Sequence, residues 1–266
     1  AVWAQNAYEV SGTVRSNFNT AAAVRLMRGS ARIGGDQAVP MSGTAAPYTG
    51  TFRFRDIVPG TYNLVTLQGD RTVTQIVVVT GADQSGLAVT MPAADVNSIL
   101  TVSGNTSAVV VGKLDEEAAT KAETGKTVTI FMTIESAEEQ SLPASAAGEA
   151  LATQKAIAEI KDRAPGTRLE YMNIDVTMTV RSGAAVESEQ KLAETNNVVE
   201  LVIPCDLTGK TDLRMYRYHD ETVMTFAKLD EKPAAGSALD ATYYPDAANG
   251  LIYAYGKLFS TYAIAY

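Results

Sequence analysis

From Tyr8 to Pro92 the chain alternates apolar and polar residues in short runs, each broken by turn residues after about ten positions. A period of two is the geometry of a strand, whose successive side chains point to opposite faces, and breaks this frequent leave no room for ordinary helices. In "TFRFRDIV" Phe52 and Phe54 take one face while Arg53 and Arg55 take the other; in "AAVRLMR" Val24 and Leu26 oppose Arg25 and Met27. "YEVSGTV" aligns Tyr8, Val10 and Val14 around Gly12, "GLAVTMP" aligns Leu87, Val89 and Met91, and "TYNLVTL" and "TVTQIVVV" bring the set to six or seven strands. Such a set predicts an antiparallel sandwich with one face of each strand buried.

Beyond residue 97 the strand pattern continues and then changes character. "SAVVVGKL" reads as a strand, and "KTVTIFMTIE" puts Val128, Ile130, Met132 and Ile134 on one face. Over 145–164 the residues Ala146, Ala150, Thr153, Ile157, Ile160 and Ala164 recur at steps of four and three, which predicts a helix with one apolar stripe. Small residues near its start suit a close approach to a sheet, and "APG" at 164–166 stops it. "LEYMNIDVTMTVR" turns Met172, Ile174, Val176, Met178 and Val180 inward, and "NNVVELVIP", "TDLRMYRY", "ETVMTFAKL", "GLIYAYG" and "LFSTYAIAY" read as further strands.

"PAADVN" at 92–97 divides a lysine-free segment from a lysine-containing one and is the expected linker. The predicted architecture is therefore mostly β: two antiparallel β-sandwich domains in series, 1–94 and 95–266, the second with one packed α-helix near 145–164. "AVWAQNA" reads either as the tail of a cleaved export signal or as a cloning remnant. A strand pattern that runs to the last residue reads as the cut end of a longer chain.

Charge and composition narrow the function classes. The net charge is −8, and residues 1–97 hold seven Arg, no Lys and six acids, so the excess acid lies in the remainder. An acidic surface repels phosphate backbones, so no nucleic-acid partner is expected. Apolar runs such as 76–79 and 108–111 fall far short of the roughly 20 residues of a membrane-spanning helix, and no span is expected. A single Cys rules out an internal disulfide.

The candidate chemistry is sparse. His219, the only histidine, removes any zinc site built on several His; in "YRYHDET" it reads as a hairpin-turn residue, since catalysis would need a Ser or Cys nucleophile brought to that turn. Cys205, at the exit of an apolar strand with no base in view, reads as a buried thiol. The acidic pairs Glu116/Glu117, Glu138/Glu139, Asp220/Glu221 and Asp230/Glu231 read as solvated charge in loops rather than a glycosidase dyad. Asp206 with Thr208 and Asp212, or Asp240 with Asp246 and Asn249, set oxygens in turns without EF-hand spacing and read as ordinary turns, with a calcium site as the alternative. Tyr216 with Tyr218, and Tyr243 with Tyr244, read as strand residues, with a sugar-stacking platform as the alternative. No catalytic residue, metal site or cofactor is expected, and no binding residue is singled out.

"VSGTV", "AAVRLM" and above all "FRFRDIVPGTYNL", followed by "TQIVVV" and "VTMP", resemble the carboxypeptidase-regulatory-like, prealbumin-type sandwich, a family close to the B-type repeats of collagen-binding adhesins. The resemblance implies that Pro59 and Gly60 set a turn and that Tyr62 anchors the next strand, and it carries no catalytic residue. Those repeats often hold a Lys–Asn isopeptide bond; residues 1–97 lack lysine, so it cannot form there, while Lys113 and Lys126 leave it open further on. The segment from Asn97 is similar to a module of large secreted surface proteins of Gram-positive anaerobes, by "SAVVVGKLDE", "LEYMNIDVTMTV" and "GLIYAYGKLFSTYAIAY". Together these imply a non-enzymatic extracellular module of a bacterial cell-surface protein, a stalk, spacer or adhesion scaffold, monomeric as a fragment. Its expected partner is an extracellular protein or a glycan. The alternative is a carbohydrate-binding accessory unit of a larger secreted enzyme.

Overall fold

The structure is a computed structural model and describes residues 7–69, 71–92, 96–103, 109–122, 125–141, 147–234 and 236–266. Most of "AVWAQNA", residues 93–95 of the expected linker, and Ala146 of the helical stripe lie outside the described residues. Strands dominate, as the alternation requires. The chain divides into two compact units, one made of Ala1–Ile99, Val110–Phe131 and Met178–Gln190, the other of Leu100–Val109, Met132–Thr177 and Lys191–Tyr266.

The first unit contains β1 (Tyr8–Ser16), β2 (Ala22–Arg28), β3 (Ala31–Val39), β4 (Tyr48–Ile57), β5 (Gly60–Gln68), β6 (Arg71–Val79) and β7 (Gln84–Thr90). They form two sheets, β4-β1-β7 and β3-β2-β5-β6. The predicted inward residues Val10, Val14, Val24, Leu26, Phe52, Phe54 and Val89 are buried in one core, while Arg53 and Arg55 are exposed. β3 escapes sequence reading because Gly34 and Gly35 interrupt its alternation and most of it is exposed. The expected all-antiparallel pairing needs correction at two places, where Ala227–Lys228 runs parallel to Thr242–Asp246, and here: β1 pairs antiparallel with β4 but parallel with β7, Thr13 beside Ala88 and Val14 beside Val89. Five strands of chain separate the two, so no hairpin forces them to run in opposite directions. Gly12 sits where β1 is crowded; a Cβ there would strike the Leu87 carbonyl and lie 2.8 Å from the Phe52 ring.

The chain continues through β8 (Val96–Ser103), β9 (Val110–Gly112), α1 (Leu114–Thr120), β10 (Thr127–Ala137), α2 (Glu149–Arg163), β11 (Leu169–Ser182), β12 (Ala185–Lys191) and β13 (Glu194–Pro204). β14 (Arg214–His219), β15 (Thr222–Thr225), β16 (Ala227–Lys228), β17 (Thr242–Asp246), β18 (Leu251–Leu258) and β19 (Thr261–Ala265) complete it. The expected single helix is one short: "SAVVVGKL" yields only the three-residue β9 before Lys113, at φ 69°, turns the chain into α1. β9 lies against β5 and β6, and α1 against β6, within the first unit.

In the second unit β14, β19, β11 and β10 follow one another in one sheet, with β15 outside β14, and β16, β17, β18 and β13 in another. Met172, Ile174 and Val176 are buried as predicted. α2 begins at Glu149, and its buried residues are Ala156, Ile157 and Ile160, in its second half; Ala150 is exposed. The close approach is therefore made by Ala156 and Ala164, which pack with Ile160 on Tyr216, Tyr218, Ala263 and Ala265.

Each unit turns one corner between its sheets with the same device. Val58-Pro59-Gly60 carries the chain from β4 to β5, and the Tyr62 hydroxyl donates to the Val58 carbonyl at 2.6 Å. Phe259 and Ser260 carry it from β18 to β19, and the Tyr262 hydroxyl donates to the Leu258 carbonyl at 2.6 Å. Both rings are buried, and both tyrosines follow a threonine, in "VPGTY" and "LFSTY". Removing either hydroxyl leaves a corner carbonyl short of its donor, so Tyr62→Phe and Tyr262→Phe should each lower unfolding free energy by about 1 kcal/mol. Denaturant titration with an unchanged m-value checks this; loss of nothing at both positions contradicts the corner role.

Candidate functional site

The sequence singles out His219 without a setting, and the fold supplies one. β14 and β15 are joined by a two-residue turn, Asp220-Glu221, with His219 opposite Thr222. Both turn residues have positive φ, 45° and 60°. Asn-Gly satisfies this geometry most cheaply; non-glycine side chains there cost on the order of 1 kcal/mol each. The strain is held in place because Glu221 forms an ion pair with Lys155 of α2. Asp220, 91% exposed, projects beside the imidazole, its carboxylate 3.5 Å from Nε2.

A cleft of about 400 Å³ opens between α2, β11 and the β14–β19 pair. Its floor is a chain of hydrogen bonds: the Thr261 hydroxyl donates to Asn173 Oδ1 at 2.8 Å, and Asn173 Nδ2 donates to the Thr153 hydroxyl at 3.0 Å. On one side Lys191 pairs with Asp175 and, at 3.2 Å, with Glu149. On the other, His219 Nδ1 meets the Phe259 carbonyl at 3.2 Å; a carbonyl only accepts, so Nδ1 carries the hydrogen there. Ser260 lines the same cleft, which is the nucleophile type that catalysis at this turn would require. Among the described residues the imidazole meets the Phe259 carbonyl and the Asp220 carboxylate, and no hydrogen bond joins it to the Ser260 hydroxyl. The lining is largely polar, with the imidazole turned to Phe259 and Asp220 rather than to that hydroxyl.

The other candidates separate into structural roles. Cys205 is buried with Lys210 Nζ 3.4 Å from its sulfur. Burial pushes its thiol up and outweighs the ammonium, which pulls the other way, so the thiol stays protonated. Glu117 departs from expectation: it is not solvated loop charge but a fully buried side chain of α1, with Lys121 Nζ at 3.8 Å. Glu138 and Glu139 rim a second cleft, of about 510 Å³, above Met172, Ile203 and Ile264, where Glu139 is tied to Lys161 at 2.7 Å. Asp230 and Glu231 are exposed, and Glu116 lies 4.0 Å from Lys113. Lys126 pairs with Glu187 at 2.8 Å.

The two oxygen-rich turns are occupied by protein donors. Asp206 accepts from the Thr208 amide at 3.0 Å, which draws its carboxyl below the ordinary value. Asp246 takes both the amide and the side chain of Asn249. Asp240 faces a different partner, below. Among the described residues no group of three or more His, Cys, Asp or Glu gathers around a point. Tyr216, Tyr218 and Tyr243 are buried, and the Tyr243 hydroxyl donates to the Leu213 carbonyl, so these rings offer no platform for a sugar. Tyr244 is half-buried against Tyr253.

Arg217, between the two tyrosines of "RMYRY", is the residue sequence reading missed. It is 1% exposed and meets Asp240 twice, Nη1 to Oδ1 at 2.8 Å and Nη2 to Oδ2 at 3.2 Å. Asp240 Oδ1 also accepts the Lys257 amide at 2.8 Å, so one carboxylate links β14, the approach to β17, and β18. A lone cation inside an aromatic strand was the available signal. Burial works to raise the Asp240 carboxyl, but the Arg217 and Lys257 donors hold it below its ordinary value. A depressed folded-state pKa gives stability that is present above about pH 4 and lost as pH falls through the folded value. Asp240→Asn should lower stability by about 3 kcal/mol at pH 7, with the gap to the parent narrowing as pH falls below about 4. Melting curves across that range check it; a gap independent of pH contradicts it.

Comparison with family models, with characterised proteins and with solved structures finds no match to this chain.

Proposed function

We propose that this chain is a non-enzymatic, load-bearing module of a bacterial cell-surface protein, a stalk or spacer working outside the cell. One observation carries the reading. The first described strand and the last strand are both central in their sheets: β1 lies between β4 and β7, and β19 lies between β14 and β11. Val14 is flanked by Gly50 and Val89, and Ile264 by Glu170 and Met215, so a pull at either end meets hydrogen bonds on two sides. β1 and β7 are parallel, and drawing the start of one away from the end of the other loads their bonds along the strands, all at once. A hairpin pulled from its open end breaks one bond at a time. A spacer between a surface and its target has use for the first geometry. The extracellular setting is supported by the likeness of "FRFRDIVPGTYNL" and the segment from Asn97 to surface-protein modules.

Force spectroscopy on the full chain tests this. With cysteine handles at Ala7 and Pro92, in a Cys205→Ala background, the first unit should rupture at a clearly higher force than with handles at Val58 and Thr80. The latter pair opens β5 and β6 from the Gly60–Val79 end. Forced rupture reports the unfolding barrier rather than equilibrium stability. Equal forces for the two pairs of handles would overturn the load-bearing reading.

A further inference from the structure

We infer that the cleft between α2, β11 and the β14–β19 pair is a binding site for a neutral saccharide. The inference does not rest on the load-bearing reading and concerns the second unit alone. The first argument is the balance of its lining. Lys191 already holds the carboxylates of Asp175 and Glu149, so the cleft offers neither a free cation for an anionic ligand nor an open carboxylate cage for a metal ion. What it presents is a wall of paired charges with residual hydrogen-bonding capacity: the third N–H of the Lys191 ammonium, the spare lone pairs of the Asp175 and Glu149 carboxylates, and the hydroxyls of Thr153 and Thr261. A ligand that pairs with both kinds at close quarters must donate and accept from the same atom, and the hydroxyl does that. A ring carrying several adjacent hydroxyls meets such a wall without leaving polar groups stranded. The volume, about 400 Å³, lies in the range of small-ligand sites.

The second argument is the turn above the cleft. Asp220 and Glu221 occupy two left-handed positions where Asn-Gly would be easier, and the pair has a division of labour: Glu221 fastens the turn to Lys155, and Asp220 is left exposed at the cleft mouth. An exposed carboxylate at the rim suits the vicinal hydroxyls of a sugar. Of the alternative pair, Tyr243 is buried and bonded to the Leu213 carbonyl, and Tyr244 is half-buried against Tyr253, whereas this cleft supplies the polar half of sugar recognition in one place.

The test is an array of neutral gluco-, manno-, galacto-, xylo- and N-acetylhexosamine oligosaccharides probed with the full chain, followed by titration calorimetry on any hit. Saturable binding is expected, weakened at least tenfold by Lys191→Met and by Asp220→Asn, and unchanged by Glu159→Gln on α2. Asp220→Asn suits the left-handed turn and keeps the fold testable if Lys191→Met is poorly folded. No binding across the array, binding indifferent to Asp220→Asn, or selective capture of a peptide array instead would overturn the assignment. None of these outcomes bears on the rupture forces of the first unit.

Discussion

β1 and β19 each lie between two hydrogen-bonded neighbours, and much of what surrounds them follows from that seating. A strand flanked on both sides exposes no edge, so its faces decide its neighbours. On β1 the inward face carries Val10 and Val14, and crowding there demands Gly12 under Phe52 and beside Leu87. On β19 both faces are buried: Ala263 and Ala265 accept α2, while Tyr262 and Ile264 are buried with the core. That is why "YAIAY" is a continuous apolar run rather than an alternating one.

Two interactions keep the second unit's strands in register around β19. Tyr262 closes the corner that delivers the chain into it, and Arg217, opposite Tyr262 on β14, draws Asp240 and the Lys257 amide together from the other sheet. A buried ion pair of this kind is often no more stabilising than a well-packed apolar substitute, but it is costly to break on one side. Its value here is positional, since a single carboxylate in the approach to β17 ties β14 of one sheet to β18 of the other. The helix-bearing face then gains its shape from contacts of a different sort, with Lys155, Lys161 and Gln154 tying α2 to the turn at Glu221 and to the chain after β10.

How much of this was legible in the sequence differs by feature. The period-two runs placed Phe52, Phe54, Met172 and Ile174 correctly inward, because burial of one strand face leaves a strong mark on residue choice. β3 was not legible, because an edge strand with two glycines carries no such mark, and neither was α1, seven residues packed through contacts rather than periodicity. The parallel pairing of β1 with β7 is a property of long-range topology that no local pattern records. For the cleft, His219 and Asp220 stood out in the sequence, but Asn173 and Asp175 looked only like the wet face of a half-buried strand. That face became a lining once α2 lay over it. Arg217 was hidden for the opposite reason: a charged residue in a strand is normally outward, and only its partner 23 residues on makes burial tolerable.

Native-state hydrogen exchange tests the seating of the two strands most directly. If β1 and β19 are locked on both sides, the amides of residues 12–15 and 261–265 should be among the slowest, opening only with global unfolding of their units, while those of the exposed β12 exchange early. Slow exchange that tracks denaturant with the full m-value is the expected result. Exchange of β1 or β19 through local fraying, at rates like those of β12, would contradict it.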